Sequence, residues 1–343
     1  MCFQNVTNVN NTMVKRKAVV ALSVSKESLI DGLSDWNVVF PDGKKFEDED
    51  FLSEIKDADA IVSVFGHKLN TRMLDEARGV KMIANYGAGY DNVDVDYCSK
   101  HGILVTNCPD PVTEPTAELA FGLMLAVSRQ IVDMNIKLRS GERLQWGVMR
   151  NLSSTLVGKK IGIVGMGAIG KAIARRAVAS GMEVFYHNRN RLSQEEESRC
   201  KATFSPLDEL LKQSDVVSLN VPLTSETNGM IGEREFKLMK RSAFLINTAR
   251  GAVVKEDELI EALENGEIAG AGLDVFVNEP KIPVKLLEMP NVVLMPHLGS
   301  ATNEAREEMS RVVALNIATA FSGKIPPNIV NRDIWETWKN KLI

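Results

Sequence analysis

The feature that most constrains this fold is a glycine-rich turn between an apolar run and a helical pattern, within residues 160–191. That stretch reads KIGIVGMGAIGKAIARRAVASGMEVFYHNRNR. Its apolar run, residues 161–164, predicts a buried parallel strand, and residues 183–187 predict a second strand. The turn has the spacing G-x-G-x-x-G, with its glycines at Gly165, Gly167 and Gly170. Together these features predict a βαβ unit with the glycines at the first strand-to-helix turn.

A βαβ unit of this kind predicts a dinucleotide site. Gly165 permits the tight turn, Gly167 lets the backbone approach a pyrophosphate, and Gly170 lets the helix pack closely on the strand. The exposed amides at Ala168 and Ile169, with the positive end of the helix dipole, would bind the phosphates. By itself the motif is also compatible with an ordinary glycine-rich turn, but its place between strand, helix and strand favours the dinucleotide site.

Length and composition predict two ordinary globular domains. The chain has 343 residues, of which 44% are apolar and 25% charged, values typical of soluble proteins. The formal net charge of −4 gives no reason to expect nucleic acid or an anionic membrane as a partner. The longest apolar run, residues 119–127, is too short to span a bilayer. We therefore expect a small-molecule ligand and no membrane.

The first residues and the cysteines predict the cellular location. Residues 1–12 are polar and rich in asparagine, without the apolar core of a secretory signal, so we expect a disordered tail, with Met13 as an alternative start. The cysteines lie far apart and form no C-x-x-C pair: Cys2, Cys98, Cys108 and Cys200. This pattern favours reduced thiols over disulfides or a metal site. We predict a cytoplasmic protein without a bound metal.

Strands that alternate with helices predict a parallel sheet in each half of the chain. In the first half the predicted strands are residues 18–22, 38–40, 60–65, 82–85 and 103–106, and the predicted helices include 48–56 and 71–77. In the second half, after the first βαβ unit, the predicted strands are residues 202–204, 215–220, 243–247, 269–274 and 292–295, and the predicted helices include 207–212 and 256–265. We therefore predict an α/β fold of two doubly wound parallel sheets.

The segment between the two halves predicts a boundary and a long helix. The Pro-Asp-Pro sequence at residues 109–111 predicts a rigid break. One helix is predicted over residues 116–138; it is apolar on more than one face, which indicates burial between domains or in a dimer. Residues 140–155 are predicted to be irregular, with Trp146 and Met149 packing in an arm.

A last helix, predicted over residues 303–322, is expected to return to the first domain. The first domain then becomes discontinuous and comprises residues 13–112 and 300–333. It encloses a dinucleotide-binding domain of residues 113–299.

Ligands of open parallel sheets bind beyond the carboxyl ends of the strands, so the residues that follow each strand of the second domain are candidates for the site. Those predicted to bind the cofactor are Val221, Pro222, Thr248, Ala249 and Asp274. Those predicted to act on or bind the substrate are Arg250, Glu279, His297 and Ser300. One arginine, two carboxylates and one histidine are therefore expected to gather beside the cofactor.

These residue types suit hydride transfer to a 2-keto acid. Arg250 can hold a carboxylate in a bidentate fork and polarise the carbonyl. His297 can give a proton to the carbonyl oxygen, and Glu279, if bonded to the other ring nitrogen, would favour the charged imidazolium. Asp274 can accept a hydrogen bond from the nicotinamide carboxamide. Each residue taken alone is more typical of a surface charge, a loop or a structural histidine, but their convergence beside a dinucleotide motif favours catalysis.

The end of the second predicted strand of the βαβ unit predicts the choice of cofactor. An acidic residue about 20 positions after the glycines would bind the ribose hydroxyls of NAD, whereas an arginine suits the 2′-phosphate of NADP. Asn188 stands where the acid is expected, and Arg189 and Arg191 follow it. A solvated basic loop would explain the arginines but not the missing acid. We therefore predict NADPH in preference to NADH.

A second glycine turn follows the strand predicted at residues 82–85. Gly87 and Gly89 flank Ala88, and glycines at these places can let backbone amides point at an anion. A simple turn explains the same residues equally well, so the residues alone leave both interpretations open.

Three ordered motifs resemble the D-isomer-specific 2-hydroxyacid dehydrogenases. They are GMGAIG at residues 165–170, LINTARGAVVKEDELIEALENGEIAGAGLDVFVNEP at residues 245–280, and MPHLGSAT at residues 295–302. The likeness covers nearly all of residues 15–330. It implies a Rossmann cofactor domain, a smaller discontinuous flavodoxin-like substrate domain, and usually a homodimer built on the long helix.

The resemblance also implies roles for particular residues. Arg250, Glu279 and His297 would form the catalytic triad. Ala88 and Gly89 would bind the substrate carboxylate, which favours the anion-binding interpretation of their turn. Trp146 is similar in place to an aromatic residue that reaches the partner's active site in some members of the family.

Within the family, PHLGSAT and the YHNRNR stretch look most like the glyoxylate and hydroxypyruvate reductases. This likeness implies NADPH-dependent reduction of one of these small 2-keto acids to the D-2-hydroxy acid. D-Lactate, 2-ketoisocaproate and phosphoglycerate dehydrogenases are alternatives, although D-lactate dehydrogenases usually have an acid where Asn188 stands, and no C-terminal regulatory domain of the long phosphoglycerate type is expected. The residues leave open which keto acid is physiological.

A hypothesis from a different class is a non-enzymatic dinucleotide sensor. The chain also resembles the C-terminal-binding-protein corepressors, which share this fold and the triad. Those proteins usually carry long extra tails, whereas about a dozen extra residues are expected here. The near-neutral charge and the compact ends favour the enzyme.

Overall fold

The computed structural model describes residues 15–342, which form two compact units. Of the described residues, the first unit comprises those up to Cys108 together with those from Glu307 onwards, and the second comprises Pro109–Arg306. The sequence analysis placed the domain boundaries after residues 112 and 299.

The expectations for the first residues are not addressed by this structure. The predicted tail at residues 1–12, including Cys2, and the alternative start at Met13 lie outside the described residues.

Twelve strands and fourteen α-helices make up the described chain. In chain order the strands are β1 (Lys17–Val20), β2 (Asn37–Val39), β3 (Ala60–Val64), β4 (Met82–Tyr86), β5 (Leu104–Thr106), β6 (Lys160–Val164), β7 (Glu183–His187), β8 (Ala202–Phe204), β9 (Val216–Leu219), β10 (Phe244–Asn247), β11 (Gly270–Leu273) and β12 (Val292–Leu294). The helices are α1 (Lys26–Gly32), α2 (Asp48–Ile55), α3 (Thr71–Glu76), α4 (Val95–His101), α5 (Asp110–Ser128), α6 (Ile131–Arg139), α7 (Ala168–Ala179), α8 (Gln194–Cys200), α9 (Leu207–Gln213), α10 (Glu233–Leu238), α11 (Glu256–Glu264), α12 (Val284–Glu288), α13 (Asn303–Phe321) and α14 (Trp335–Lys339).

Each unit contains one parallel sheet. The first has the order β2-β1-β3-β4-β5, which is the flavodoxin-like order. The second has the order β12-β11-β10-β9-β6-β7-β8, so the chain winds outward in both directions from the centre. The predicted α/β fold of two doubly wound parallel sheets is confirmed. In the second sheet the winding reverses between β6 and β9, where ligands of such sheets bind.

The interior of each unit explains its apolar strands. β3 and β4 are buried along their whole length, as expected for parallel strands covered by helices on both faces. In the second unit, α5 packs on β10 and β11 and contributes Ala117, Leu123 and Met124 to the core.

The helix predicted over residues 116–138 is wrong in its start and in its continuity. α5 already begins at Asp110, because Pro111 lies in the first turn, where the missing amide hydrogen breaks no helical bond. α5 ends at Ser128, Gln130 adopts a φ of 54°, and α6 follows at an angle of 63°. The apolar pattern continues through this break, so periodicity did not reveal it.

No single helix in the described part of the chain is both long enough and apolar enough to cross a membrane. Only α5 and α6 taken together, as the bent pair, meet the length and hydropathy that a span requires.

The arm of residues 140–155 has no helix or strand, as predicted. The side chains of Trp146 and Met149 are 91% and 76% exposed, however, so their predicted packing is wrong for a single copy of the chain.

Candidate active site

The glycine turn connects β6 to α7 at the point where the second sheet reverses its winding. Gly165 has a φ of 98°, and a Cβ there would lie 2.6 Å from the backbone carbon of Asn220, so a larger residue requires the backbone to shift. A Cβ at Gly167 would meet no heavy atom of the described chain within 4 Å. α7 starts at Ala168 without a side-chain cap, so its first-turn amides are suited to bind an anion.

Two buried oxygen atoms mark the same edge of the sheet. Asn220 Oδ1, just after β9, and Thr248 Oγ1, just after β10, have no hydrogen-bond partner among residues 15–342. A buried polar atom left in this state costs about 1–3 kcal/mol, and native proteins usually satisfy such atoms. A dinucleotide offers hydroxyl and amide groups that would do so. The residues at this edge therefore fit the predicted cofactor, and Val221, Pro222 and Ala249 are their neighbours along the chain.

The loop after β7 holds the residues predicted to select the cofactor. Asn188 Oδ1 accepts a hydrogen bond from the amide of Met166 at 2.7 Å, which ties the loop to the glycine turn. The Arg189 side chain is exposed. Arg191, by contrast, forms an ion pair with Glu197, with Nε to Oε1 at 2.8 Å and Nη2 to Oε2 at 2.9 Å. The two arginines therefore differ in environment, which the sequence analysis did not predict.

Glu197 was missed because α8, the seven-residue helix that carries it, was not predicted. A signal was present in the sequence, since Ser193 and Glu196 have the S-x-x-E spacing of a helix N-terminal capping box. In the structure Ser193 Oγ accepts a hydrogen bond from the amide of Glu196 at 3.2 Å.

Arg250, Glu279 and His297 come together at the carboxyl edge of the second sheet. Arg250 follows β10, and its Nη1 donates to the carbonyl oxygen of Ala249 at 2.8 Å. Glu279 Oε2 lies 2.7 Å from His297 Nδ1. A carboxylate can only accept a hydrogen bond, so Nδ1 carries the proton in this pair and Nε2 is the nitrogen that can exchange a proton with a ligand. The bond between Glu279 and one ring nitrogen, which the sequence analysis required, is present.

A close backbone approach brings Arg250 to the loop that carries Glu279. A Cβ at Gly251 would lie 2.0 Å from the carbonyl carbon of Phe276, and the amide of Phe276 donates to Glu279 Oε1 at 3.0 Å. Burial alone would raise the pKa of Glu279, but the hydrogen bonds from His297 and Phe276 and the charge of Arg250 outweigh it and lower the pKa below its ordinary value. Glu279 is therefore a carboxylate at neutral pH.

Asp274 holds the backbone of the His297 segment. Its carbonyl oxygen accepts from the amide of His297 at 2.8 Å, and its carboxyl oxygens accept from the amides of Leu298 and Gly299 at 2.7 and 2.8 Å. These bonds stabilise His297 at a φ of 57°, an uncommon value for a residue other than glycine. The predicted contact of Asp274 with the nicotinamide carboxamide stays a prediction. Ser300 lies half-buried at the end of this segment.

In the glycine turn of the first unit the carbonyl groups are hydrogen-bonded, and the amides of Ala88 and Gly89 are available. Asn85 Nδ2 donates to the carbonyl oxygens of Gly87 and Gly89 at 3.2 and 2.8 Å, and Asn107 Nδ2 donates to that of Ala88 at 2.8 Å. No acceptor for the amides of Ala88 and Gly89 is found within the described ranges of the chain. This arrangement suits the binding of an anion by the two amides.

Comparison with known proteins shows what this chain is similar to. Residues 121–299 match the sequence model described as "D-isomer specific 2-hydroxyacid dehydrogenase, NAD binding domain". The chain is similar to a glyoxylate reductase of Thermococcus litoralis, with 48% identity over 287 residues that cover 82% of this chain and 86% of that protein.

Solved structures are also similar over nearly the whole chain. A glyoxylate reductase described as from Paecilomyes thermophila has a TM-score of 0.85 at 35% identity, covering 94% of this chain and 100% of that one. An NADPH-dependent glyoxylate/hydroxypyruvate reductase of Sinorhizobium meliloti, in complex with NADP and malonate, has a TM-score of 0.81 at 33% identity, covering 92% of this chain and 97% of that one.

Proposed function

The chain belongs to the D-isomer-specific 2-hydroxyacid dehydrogenases and is an NAD(P)-dependent dehydrogenase; from this premise, we propose that it reduces glyoxylate to glycolate, or hydroxypyruvate to the D-2-hydroxy acid D-glycerate, with NADPH. The observation that carries the proposal is the 2.7 Å contact between Glu279 Oε2 and His297 Nδ1, at the edge of the sheet where Arg250 also lies. An arginine beside a histidine with one nitrogen held by a carboxylate can bind a 2-keto acid and protonate its carbonyl oxygen.

The proposed mechanism assigns one task to each of these side chains. A bound nicotinamide supplies the hydride for the carbonyl carbon. His297 gives its Nε2 proton to the carbonyl oxygen, so the carbonyl group becomes a hydroxyl group. Arg250 binds the carboxylate and polarises the carbonyl. Glu279 keeps His297 in one orientation and stabilises its charged form until the proton leaves. Ser300 is proposed to line the same pocket, and the amides of Ala88 and Gly89 to bind carboxylate.

We propose small 2-keto acids as substrates because the similar proteins are glyoxylate reductases. A panel of glyoxylate, hydroxypyruvate, pyruvate and 2-ketoisocaproate, assayed by loss of NADPH absorbance, tests this proposal. We expect the highest kcat/KM with glyoxylate or hydroxypyruvate, and D-glycerate as the product from hydroxypyruvate. A clear preference for pyruvate or 2-ketoisocaproate would instead support a different 2-hydroxyacid dehydrogenase.

The preference for NADPH is supported by the loop after β7. Asn188 leaves this loop without the acidic residue that would repel a 2′-phosphate, and Arg189 offers an exposed cation. A similar reductase from Sinorhizobium meliloti is NADPH-dependent and was solved with NADP.

Substitution Arg189→Asp is expected to lower the ratio of kcat/KM for NADPH to that for NADH by about 10- to 100-fold. A charge-assisted hydrogen bond contributes about 1.5–3 kcal/mol, and the new carboxylate also repels the phosphate. Steady-state kinetics with both cofactors at saturating glyoxylate measure the ratio. Arg241→Asp, at another exposed arginine of the second unit, is the matched control and should leave it unchanged. An equal effect of both substitutions would contradict the role of Arg189.

We also propose that two copies associate through the exposed face of α6 and the arm. Large apolar side chains there are exposed in one copy: Ile131, Val132, Ile136, Leu138, Trp146, Val148, Met149 and Leu152. A surface of this kind usually marks a protein interface, and the resemblance to a family of homodimers indicates a second copy as its partner.

Light scattering after size-exclusion chromatography is expected to give twice the chain mass of 37.8 kDa. Ile136→Asp should raise the dissociation constant of the dimer by about 100-fold or more, because it buries an unpaired charge in the interface. The measured mass should then shift toward that of one chain. Ile325→Asp replaces an apolar residue that is 45% exposed outside this face and should leave the mass unchanged. A wild-type protein of single-chain mass at micromolar concentration would contradict the dimer.

The cellular location proposed with this function is the cytoplasm. Cys98 and Cys108 are buried thiols that form no disulfide in the described chain, and burial raises the pKa of Cys98 to about 12. Thiols in this state are typical of a reducing compartment.

A further inference from the structure

One carboxylate, that of Glu197, organises the side chains around the loop after β7. It accepts two hydrogen bonds from Arg191, at 2.8 and 2.9 Å, and one from the hydroxyl of Tyr186 at 2.7 Å. The Glu197 side chain is only 12% exposed. The loop that follows β7 is therefore connected through Arg191 to α8, and through α8 to the strand where the loop begins.

The same cluster also holds the backbone of the loop. The Tyr186 hydroxyl accepts a hydrogen bond from the amide of Leu192 at 3.0 Å, and Tyr186 itself is fully buried in β7. The guanidinium carbon of Arg191 lies 5.6 Å from the ring centre of Phe204 in β8, within the range of a cation–π contact. Both ends of the short segment from His187 to Leu192 are thus fixed.

Glu197 is an ionised carboxylate throughout the neutral range of pH. The hydrogen bonds from Arg191 and then from Tyr186 lower the pKa of Glu197 to about 2. A dianionic phosphate that approached the Arg191 guanidinium would meet this permanent negative charge, so Arg191 is a poor phosphate ligand while it stays paired.

Arg189 lies two residues earlier and has different surroundings. The pKa of Glu226 is lowered mainly by hydrogen bonds with the Thr224 side chain and with its own backbone. The positive charge of Arg189 makes a smaller contribution in the same direction. No ion pair within 4 Å is found for Arg189 in the described chain. Its guanidinium can therefore turn toward a ligand without first breaking a bidentate bond.

We propose that the two arginines have divided roles: Glu197, Arg191 and Tyr186 form a pin that positions the loop, and Arg189 is the side chain that binds the 2′-phosphate. In this arrangement Glu197 is a positioning residue for cofactor selection that does not touch the cofactor. The proposal rests on the proposed NADPH dependence of this protein and changes the predicted role of Arg191 from ligand to support.

Substitution Glu197→Gln separates this proposal from direct binding by Arg191, because the two predict opposite signs. If Glu197 positions the loop, its loss weakens the contact of Arg189 with the phosphate and lowers selectivity for NADPH. If Arg191 binds the phosphate directly, loss of the competing carboxylate releases it and selectivity rises. Tyr186→Phe removes one hydroxyl from the pin without changing a charge and should act in the same direction as Glu197→Gln.

Fluorescence titration of the full-length protein with NADPH and with NADH measures the effect. We expect the ratio of the NADH to the NADPH dissociation constant to fall about 5- to 10-fold in Glu197→Gln, because a displaced Arg189 loses only part of the charge-assisted hydrogen bond to the phosphate. Affinity for NADH should stay within about twofold, whereas general damage to the fold would weaken both cofactors equally. Glu195→Gln, at an exposed residue of the same helix, is the matched control.

Arg191→Ala and the double variant with Glu197→Gln complete the test. Both substitutions break the same ion pair between Glu197 and Arg191. The double variant should therefore lose no more selectivity for NADPH than Arg191→Ala alone. Unchanged or increased selectivity in Glu197→Gln would overturn the pin while the proposed function stands. A preference of the wild-type protein for NADH would overturn the proposed function itself, and the pin with it.

Discussion

Substitution of His297 by alanine is expected to lower kcat for glyoxylate about 1000-fold, while the dissociation constant of NADPH stays within about twofold. A positioned general acid typically contributes a factor of about 10²–10⁴ to the rate. His297 is the residue whose ring is oriented by a 2.7 Å contact with Glu279, and the predicted cofactor contacts are made by other residues. Stopped-flow measurement of a single turnover, together with titration by NADPH, separates the chemical step from binding.

Two further variants sharpen the test of His297. Glu279→Gln should retain part of the activity, because an amide can still accept from Nδ1 but does not stabilise the charged ring. His101→Ala, at an exposed histidine of the first unit that contacts the carbonyl oxygen of Tyr97, should be without effect. Normal turnover by His297→Ala would show that another group supplies the proton.

Substitution of Arg250 by alanine is expected to lower kcat/KM for glyoxylate about 100- to 1000-fold, through a higher KM and a lower kcat together. The guanidinium is proposed both to bind the carboxylate and to polarise the carbonyl, so its loss should affect the ground state and the transition state. Arg250→Lys retains the charge but not the two-pronged geometry and should recover only part of the loss.

Initial rates over a range of keto-acid concentrations separate the two effects of Arg250. Arg241→Ala, at an exposed arginine of the second unit, controls for a general change in surface charge. If Arg250→Ala left KM unchanged, the carboxylate would have to be bound by another group. The amides of Ala88 and Gly89, which have no acceptor in the described chain, would then be the leading alternative.

The strands of both sheets were predictable because each is a short apolar run that ends at a glycine, proline or polar residue. Every predicted strand lies within two residues of its observed limits at either end. Helices were less predictable. α1, α4, α8, α10, α12 and α14 have five to seven residues, which is too short for a helical period to stand out. The break at Gln130 depends on one backbone angle, which leaves no trace in an apolar pattern that continues on both sides.

The site was predictable to the extent that it depends on topology. Parallel strands end at one edge of a sheet, so Arg250, Glu279 and His297 could be expected together from their positions after successive strands. The pairing of Arg191 with Glu197 depends instead on side-chain packing across α8 and β7, which no spacing in the sequence specifies. The two hydrogen bonds that the Asp274 carboxyl group accepts from the amides of Leu298 and Gly299 likewise depend on packing that no spacing in the sequence specifies. Spacing therefore predicted which residues gather, but not which of them touch a ligand and which support a neighbour.

The central claim is that this protein transfers hydride from a nicotinamide to the carbonyl carbon of a small 2-keto acid. Incubation of the wild-type protein with glyoxylate and NADPH that is fully deuterated at nicotinamide C4, followed by mass spectrometry of the product, tests it most directly. The account predicts glycolate with one deuterium on the former carbonyl carbon, and no deuterium there when unlabelled NADPH is used in heavy water. Binding of NADPH without label transfer to glyoxylate, hydroxypyruvate or any other keto acid of the panel would contradict it.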